Sequence, residues 1–326
     1  MNSEHSQNVY EIIRFVYFTY FLPTLILHYI LKINMMQRKI LNYSLLALLF
    51  LSIFSCSNDD ENTTVSNEPS NQEKALAVML SLGSPYDKTP ATQWMNVDYI
   101  QHNLGGYTGQ QGFFGLVDYA KSVNATSKNY RLFTDGDYVF AHHAYKFNPN
   151  AAPFPVFDVF RFENGKLAEH WDNIAYYAGA ENVSPINGNT MTDGGTILKD
   201  ENKTTANKNF ISQYILNVSI GGATNYSNYY TSNFVQHHRE LENGITGLQN
   251  GSNILAKSKY QSLFKVLGQG NFILTMCKGQ YNDGTGFKDA GLYDLFRVEN
   301  GKIIEQWSNW EIIPPQSEWA NQNGKF

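Results

Sequence analysis

Two runs rich in β-branched and aromatic residues, 156–162 and 167–174, flank Glu163-Asn-Gly-Lys166. Asn-Gly between alternating apolar positions is a strong short-range signal for a β-hairpin. A two-residue type I′ turn at Asn164-Gly165 would set Asp158 opposite Trp171. A three-residue loop with Gly165 left-handed would set Asp158 opposite His170. We favour the three-residue loop, which gathers Asp158, Phe160, His170 and Asp172 on one face because side chains alternate along a strand. Phe157, Val159, Arg161, Glu169 and Trp171 then fall on the other. Two carboxylates and an imidazole among apolar residues suit a pocket better than a plain core.

The pattern recurs. Asp294-Leu-Phe-Arg-Val-Glu-Asn-Gly-Lys302 repeats Asp158-Val-Phe-Arg-Phe-Glu-Asn-Gly-Lys166 136 positions on, and Trp307 repeats Trp171 at the same spacing. Phe234-Val-Gln-His237 repeats Tyr99-Ile-Gln-His102 at a spacing of 135. So long and constant a spacing indicates a duplicated domain and not a solenoid, whose period is roughly 20–50 residues.

Around the first hairpin the apolar spacing predicts helices over 75–82, 89–99 and 112–123, then strands over 130–133 and 138–147. Helices first and antiparallel strands last make an α+β domain. The second repeat predicts a helix over 204–220, another near 254–260, then strands that stop at Ile312-Ile-Pro-Pro315, since proline donates no ladder bond. The expected plan is domain 1 over 74–180, an Asn/Gly/Thr/Asp-rich linker over 181–203, domain 2 over 204–315 and a tail over 316–326.

Upstream, Met36-Gln-Arg-Lys-Ile, an apolar core from Leu45 to Phe54 and then Cys56 have the proportions of a secretory signal peptide. Ile53-Phe-Ser-Cys56 resembles a lipobox, which implies cleavage before Cys56, lipidation of its thiol and a place in the cell envelope, anchored to the outer membrane. A second apolar run over 15–31 contains Pro23 and His28 and is at the short limit for a span. Translation is expected to start at Met35 or Met36; the other reading is an N-terminal transmembrane helix. Residues 56–73 are polar, acidic and without aromatics, and read as a flexible tether like those of Bacteroidetes-type lipoproteins.

Composition adds two constraints. A chain of 326 residues with 42% hydrophobic and 16% charged positions has the profile of an ordinary globular protein, and 21 Tyr and 21 Phe favour sheet. With a net charge of −5 and no Lys/Arg-rich run, nucleic-acid binding has no electrostatic footprint. With Cys56 lipidated, Cys277 is left in an apolar strand-like run as a buried small hydrophobe.

The helix-led order, the segment from Tyr99 to Asn103, Asp135-Gly-Asp-Tyr-Val139 followed by His142, and the Asp158…Asp172 hairpin resemble the SnoaL-like polyketide cyclase group of the nuclear-transport-factor-2-like superfamily. The resemblance covers most of 75–178 and, more weakly, 205–313. It implies two tandem cone-shaped α+β barrels, each a curved antiparallel sheet around helices with a pocket between. It also implies pairing through the sheets, here an internal pseudo-dimer. Enzymes of that group use neither metal nor cofactor: a carboxylate takes a proton beside a carbonyl and a partner donates to the oxyanion. Carried over by motif, Asp172 is the base, His170 or His102 the donor and Asp158 the orienter of His170, with His142 in the same set. Phe160, Phe113 and Tyr107 are expected as pocket wall around a small-molecule substrate or ligand.

The repeat supplies an internal comparison. His102 meets His237 and Asp158 meets Asp294, but His142 meets Met276, His143 meets Cys277, His170 meets Gln306 and Asp172 meets Ser308. An imidazole beside a carboxylate can take and return protons near neutral pH, so proton chemistry is expected in the first copy alone. His102, His142, His170 and Asp172 could also ligate zinc, but beyond His170-x-Asp172 no short-spaced ligand motif supports a metal. The other reading is a non-catalytic binding protein.

Overall fold

In the computed structural model, which describes residues 68–148, 150–174, 185–250 and 255–326, Ser70 starts the first helix. Its side chain accepts the Glu73 N–H and Glu73 reaches back to the Ser70 N–H, a capping box that opens α1 (Asn71–Leu80) inside the stretch read as tether. The leader over 1–55, the apolar run over 15–31 and Cys56 lie outside the described residues. Among the described residues no helix is long and apolar enough to cross a membrane.

The helix expected over 89–99 is shorter. α2 (Thr89–Trp94), with Pro90 in its first turn, gives way to strand β1 (Met95–Gln101), where Val97, Tyr99 and Ile100 favour extended backbone. After α3 (Gly109–Ser122) come β2 (Thr126–Asp135), β3 (Tyr138–Lys146), β4 (Phe154–Glu163) and β5 (Lys166–Ile174). The sheet order is β1-β5-β4-β3-β2, with β1 parallel to β5 and the other pairs antiparallel.

The second half repeats this order. α4 (Thr204–Tyr214) runs on as a π-helical turn over Ile215–Ile220. Then follow β6 (Tyr230–Gln236), α5 (Gly244–Asn250), β7 (Ser258–Gln269), β8 (Phe272–Asn282), β9 (Phe287–Glu299) and β10 (Lys302–Ile312), ordered β6-β10-β9-β8-β7. Within the stretch expected as a helix near 254–260, β7 begins at Ser258, and a short helix, α5, lies earlier. Each sheet packs one face on its own helices: Val78 and Val117 against Val139 and Phe160 in the first half, Ile211 and Ile215 against Ile273 and Phe296 in the second.

The hairpin turn differs from the favoured form. Asn164 and Gly165 both have positive φ (52° and 73°) and Glu163 pairs with Lys166, which makes a two-residue type I′ turn. A bulge then shifts the register between Phe162↔Leu167 and Arg161↔Glu169, so Phe160 faces His170 and Asp158 faces Asp172. The bulge restores the parity that the turn alone would have broken, so the same four residues share a face. Asn300-Gly301 is built identically, with Phe296 facing Gln306 and Asp294 facing Ser308.

The opposite faces of the two sheets meet each other. Phe140, Phe157, Val159 and Trp171 pack with Leu274, Met276, Leu295 and Trp307 in one buried cluster, where each large side chain contributes about 1.5–3 kcal/mol. Asn173 Nδ2 donates to Gly291 O and Asn309 O, and Asn309 Nδ2 returns bonds to Pro155 O and Asn173 O. Each half also lends a cation to the other: the Arg131 guanidinium lies 4.2 Å over the Trp307 ring and Lys265 Nζ 5.6 Å over that of Trp171.

Two irregular segments cross between halves. In the stretch read as linker, the Ile186 N–H donates to Arg239 O, Asn187 Nδ2 to His238 O and Leu241 O, and Asn189 Nδ2 to Gln236 O. In the stretch read as tail, the Ala320 N–H donates to Leu104 O, Asn321 Nδ2 to Asn103 O and Gly106 O, and Asn323 Nδ2 to Gln101 O. Both are packed straps of one design, each fastened to a β1-type corner: the linker strap at the end of β6, the later strap at the end of β1.

Candidate active site

β1 reads as a strand, so its alternate residues share a face. Tyr99 and Gln101, with Asn103 beyond the strand end, meet the Asp158, Phe160, His170 and Asp172 face of β4 and β5, because β1 lies beside β5 with Gln101 level with His170. The Gln101 side chain orients the group. Its Oε1 accepts the Asn103 N–H at 2.8 Å and its Nε2 donates to Tyr99 Oη at 2.7 Å, so Oε1 can only accept from His170 Nδ1, 2.9 Å away. His170 Nε2 then faces Asp158 Oδ1 at 3.1 Å, and the ring stacks on Phe160 at 4.7 Å. One proton is left to be shared between Nε2 and Oδ1.

Burial pushes the Asp158 carboxyl up to about 6, with the His170 contact opposing and the charge of Asp172 adding to the rise. That brings the Asp158 carboxyl nearer to neutrality than an ordinary carboxylate, where a general base works best. Asp158 Oδ2 is buried and has no hydrogen-bond partner among the described residues; a buried acceptor left open is costly and points to a missing donor. Tyr99 is buried, and burial first, then Asp172 and Asp158, push its phenol far up, so it stays a neutral donor. Asp172 Oδ2 accepts from Asn103 Nδ2 at 2.7 Å, while its Oδ1 stands 3.6 Å from Lys325 Nζ.

Of the residues expected in the site, Asp158, Phe160, His170 and Asp172 come together and Phe113 packs against the same core. His102 does not. It lies on the other face, stacked on Trp171 at 4.7 Å, with Nε2 on Glu169 Oε1 and Nδ1 on Gly324 O. His237 repeats the arrangement on Trp307, Glu305 and Thr190 O, as expected of a structural device. His142 also faces away: it pairs with Phe157, and its Nδ1 accepts from Arg131 Nη1 at 3.0 Å. Burial, then the nearby Arg131, hold its imidazole well below the ordinary value. Its neighbour His143 points inward with Tyr145, neutral because burial pulls it down to about 3. Tyr107 is half exposed and outside the cluster.

Tyr99, Gln101, Asn103 and Lys325 join the group beyond the residues to which the sequence points. Reading 89–99 as helix hid the period-two pattern of Tyr99-Ile-Gln-His-Asn103, in which every second residue belongs to the site and His102 does not.

The second half has closed its equivalent. Tyr260 Oη donates to Asp294 Oδ2 at 2.6 Å and Gln306 Nε2 to Oδ1 at 3.4 Å, with Ser308 and Trp310 also holding the carboxyl. Tyr260 has Gly279 as its cross-strand partner; the first half has Ser127 opposite Tyr145 instead.

Asp158, His170 and Asp172 offer atoms within 4.8 Å of one another, a set that a divalent cation accepts. The Lys325 ammonium beside Asp172 already supplies positive charge on that side. A cavity of about 270 Å³ is lined by Gly194, Gly195, Thr196, Ile197, Lys199 and Arg297. It contains none of these groups, and its Arg297 is already paired with Glu299 and Glu305.

No protein-family model matches this chain, and no curated protein matches it. Among solved structures it is similar to TsrD from Streptomyces laurentii, at 16% identity over 34% of this chain and 92% of that one, with a TM-score of 0.30. It is also similar to a candidate SnoaL-like polyketide cyclase from Jannaschia sp. CCS1, at 13% identity over 36% and 92% of the two chains, TM-score 0.29. A third is a cystatin-fold protein from Novosphingobium aromaticivorans, at 22% identity over 32% and 97%, TM-score 0.29. These likenesses concern about a third of the chain and say nothing of its chemistry.

Proposed function

We propose that the first half is a cofactor-independent acid–base site of the SnoaL-like kind, acting on a small carbonyl compound as a cyclase, isomerase or hydratase. The observation that carries this reading is the buried His170–Asp158 pair with Asp158 Oδ2 left open. Asp158, sharing its other oxygen with His170, takes the proton next to the carbonyl through Oδ2. Tyr99 Oη, held by Gln101 Nε2, donates to the oxyanion that develops. This moves the base from Asp172 to Asp158 and the donor from histidine to Tyr99, because both nitrogens of His170 are engaged.

A panel of small ketones and β-dicarbonyls in D₂O, followed by proton NMR, tests the reading. The full chain should speed α-proton exchange of at least one compound, and Asp158→Asn should lower that rate by about 10²–10⁴-fold. Asp294→Asn should leave it unchanged, since that carboxyl is held by its own neighbours. Equal losses from both would mean two working sites. Saturable binding without exchange would favour the non-catalytic reading, which the depth of Asp158, 3% exposed, also suits.

We further read the two halves as a tandem duplication that packs as an internal pseudo-dimer. The reciprocal Asn173–Asn309 bonds and the repeated strand order support this. The mature protein is proposed to be an envelope lipoprotein that begins at Cys56. An intact-mass measurement on membrane-extracted protein should find an acylated Cys56; a chain carrying residues upstream of Met35 would reject it.

A further inference from the structure

The two straps differ at one consequential position. In the linker strap, Thr190 O holds the His237 ring and the next residue, Met191, is buried in the core between the sheets. In the later strap, Gly324 O holds the His102 ring and the next residue is Lys325, whose side chain is 3% exposed. Its ammonium lies 3.6 Å from Asp172 Oδ1 and bonds Glu311 Oε2 at the end of β10. The cation is found on the strap fastened to the half that holds the anion Asp172. Where Asp172 becomes Ser308, the strap carries methionine. Burying an ammonium is costly unless it is paired, so a lysine here has a reason only through the carboxylates it meets.

We propose that the strap over residues 320–325 completes the first-half site and that Lys325 is a positioning residue, holding Asp172 in a fixed orientation beside the Asp158–His170 pair. The proposal rests on the acid–base reading for its consequence in catalysis, but the contact itself can be tested without a substrate. Asn103 Nδ2 and Lys325 Nζ approach different oxygens of Asp172, so the carboxylate is gripped from β1 and from the strap at once. The strap also holds the backbone of Gln101 through Asn323, and Gln101 sets the His170 ring. One segment therefore bears on both members of the site.

The test is a ¹³C NMR titration of the aspartate carboxyls in the full chain, with Asp158 and Asp172 assigned from Asp158→Asn and Asp172→Asn. An opposite charge within about 4–6 Å favours the ionised form. Lys325→Met should therefore move at least one of the two titrations upward by about one pH unit or more, and Lys325→Arg should restore it. Glu311→Gln releases Lys325 from its other partner and should move the titration the opposite way, downward; it covers the case in which Lys325→Met fails to fold. Unchanged titrations in folded Lys325→Met, or shifts of the same sign in Lys325→Met and Glu311→Gln, would overturn the proposal. Shifts as expected in a chain that exchanges no α-protons would leave the strap's role intact and reject the acid–base reading alone.

Discussion

Asp158→Asn should melt above the wild type at pH 7 while losing the proposed proton chemistry. An aspartate in an unfolded chain titrates near 3.9, whereas burial pushes Asp158 up to about 6 in the folded protein. Between those values the folded chain holds a proton that the unfolded chain has released. Wild-type stability therefore falls as pH rises from about 4 to about 6 and stays lower above that, by up to about 3 kcal/mol. The introduced amide carries no charge at any pH and can donate to His170 Nε2, so the variant should lack that slope. The two proteins should melt alike near pH 4 and diverge by pH 7, read by urea unfolding across this range. A variant less stable at pH 7, with the wild-type pH slope intact, would show that Asp158 carries no desolvated charge. A functional carboxylate kept at the expense of stability is a common trade in active sites.

The second large effect is expected at Trp307. It is fully buried, its indole Nε1 donates to Asp193 O at 3.1 Å, His237 stacks on it at 4.5 Å and Arg131 covers its other side. Trp307→Ala should cost about 3–5 kcal/mol from the cavity alone. It should also uncover Arg131, whose guanidinium burial already holds down to about 10. Because the damaged cluster joins both sheets, amide exchange should quicken in β3 and β4 as well as in β8 and β9, and unfolding should remain one transition. Faster exchange confined to the second sheet would mean that the halves unfold separately.

Asp158, Phe160, His170 and Asp172 were legible as one face because alternation is local: it needs only the strand and the parity of its turn. That parity survived a mistaken turn type, since the two-residue turn and the bulge together shift the register by two from the expected pairing. The repeat at 136 positions likewise exposed that Gln306 and Ser308 stand where the first half has His170 and Asp172. Asn187-Gly-Asn189 and Asn321-Gln-Asn323, 134 positions apart, are a further signal of the repeat, obscured because both lie in stretches with the composition of plain linker and tail.

What the sequence determined by itself is therefore the α+β order of elements, both hairpins, the site-bearing face of β4 and β5, and the asymmetry between the halves. The tertiary structure decided the rest. It made residues 95–101 a strand by offering β5 as a parallel partner, and so turned Tyr99 and Gln101 into the site and His102 onto Trp171. It placed His142 between the sheets, set Tyr260 on Asp294, and brought Lys325 to Asp172 across 153 residues of chain. Each of these depends on contacts between residues far apart in sequence, and such contacts leave no period in the chain from which they could be read.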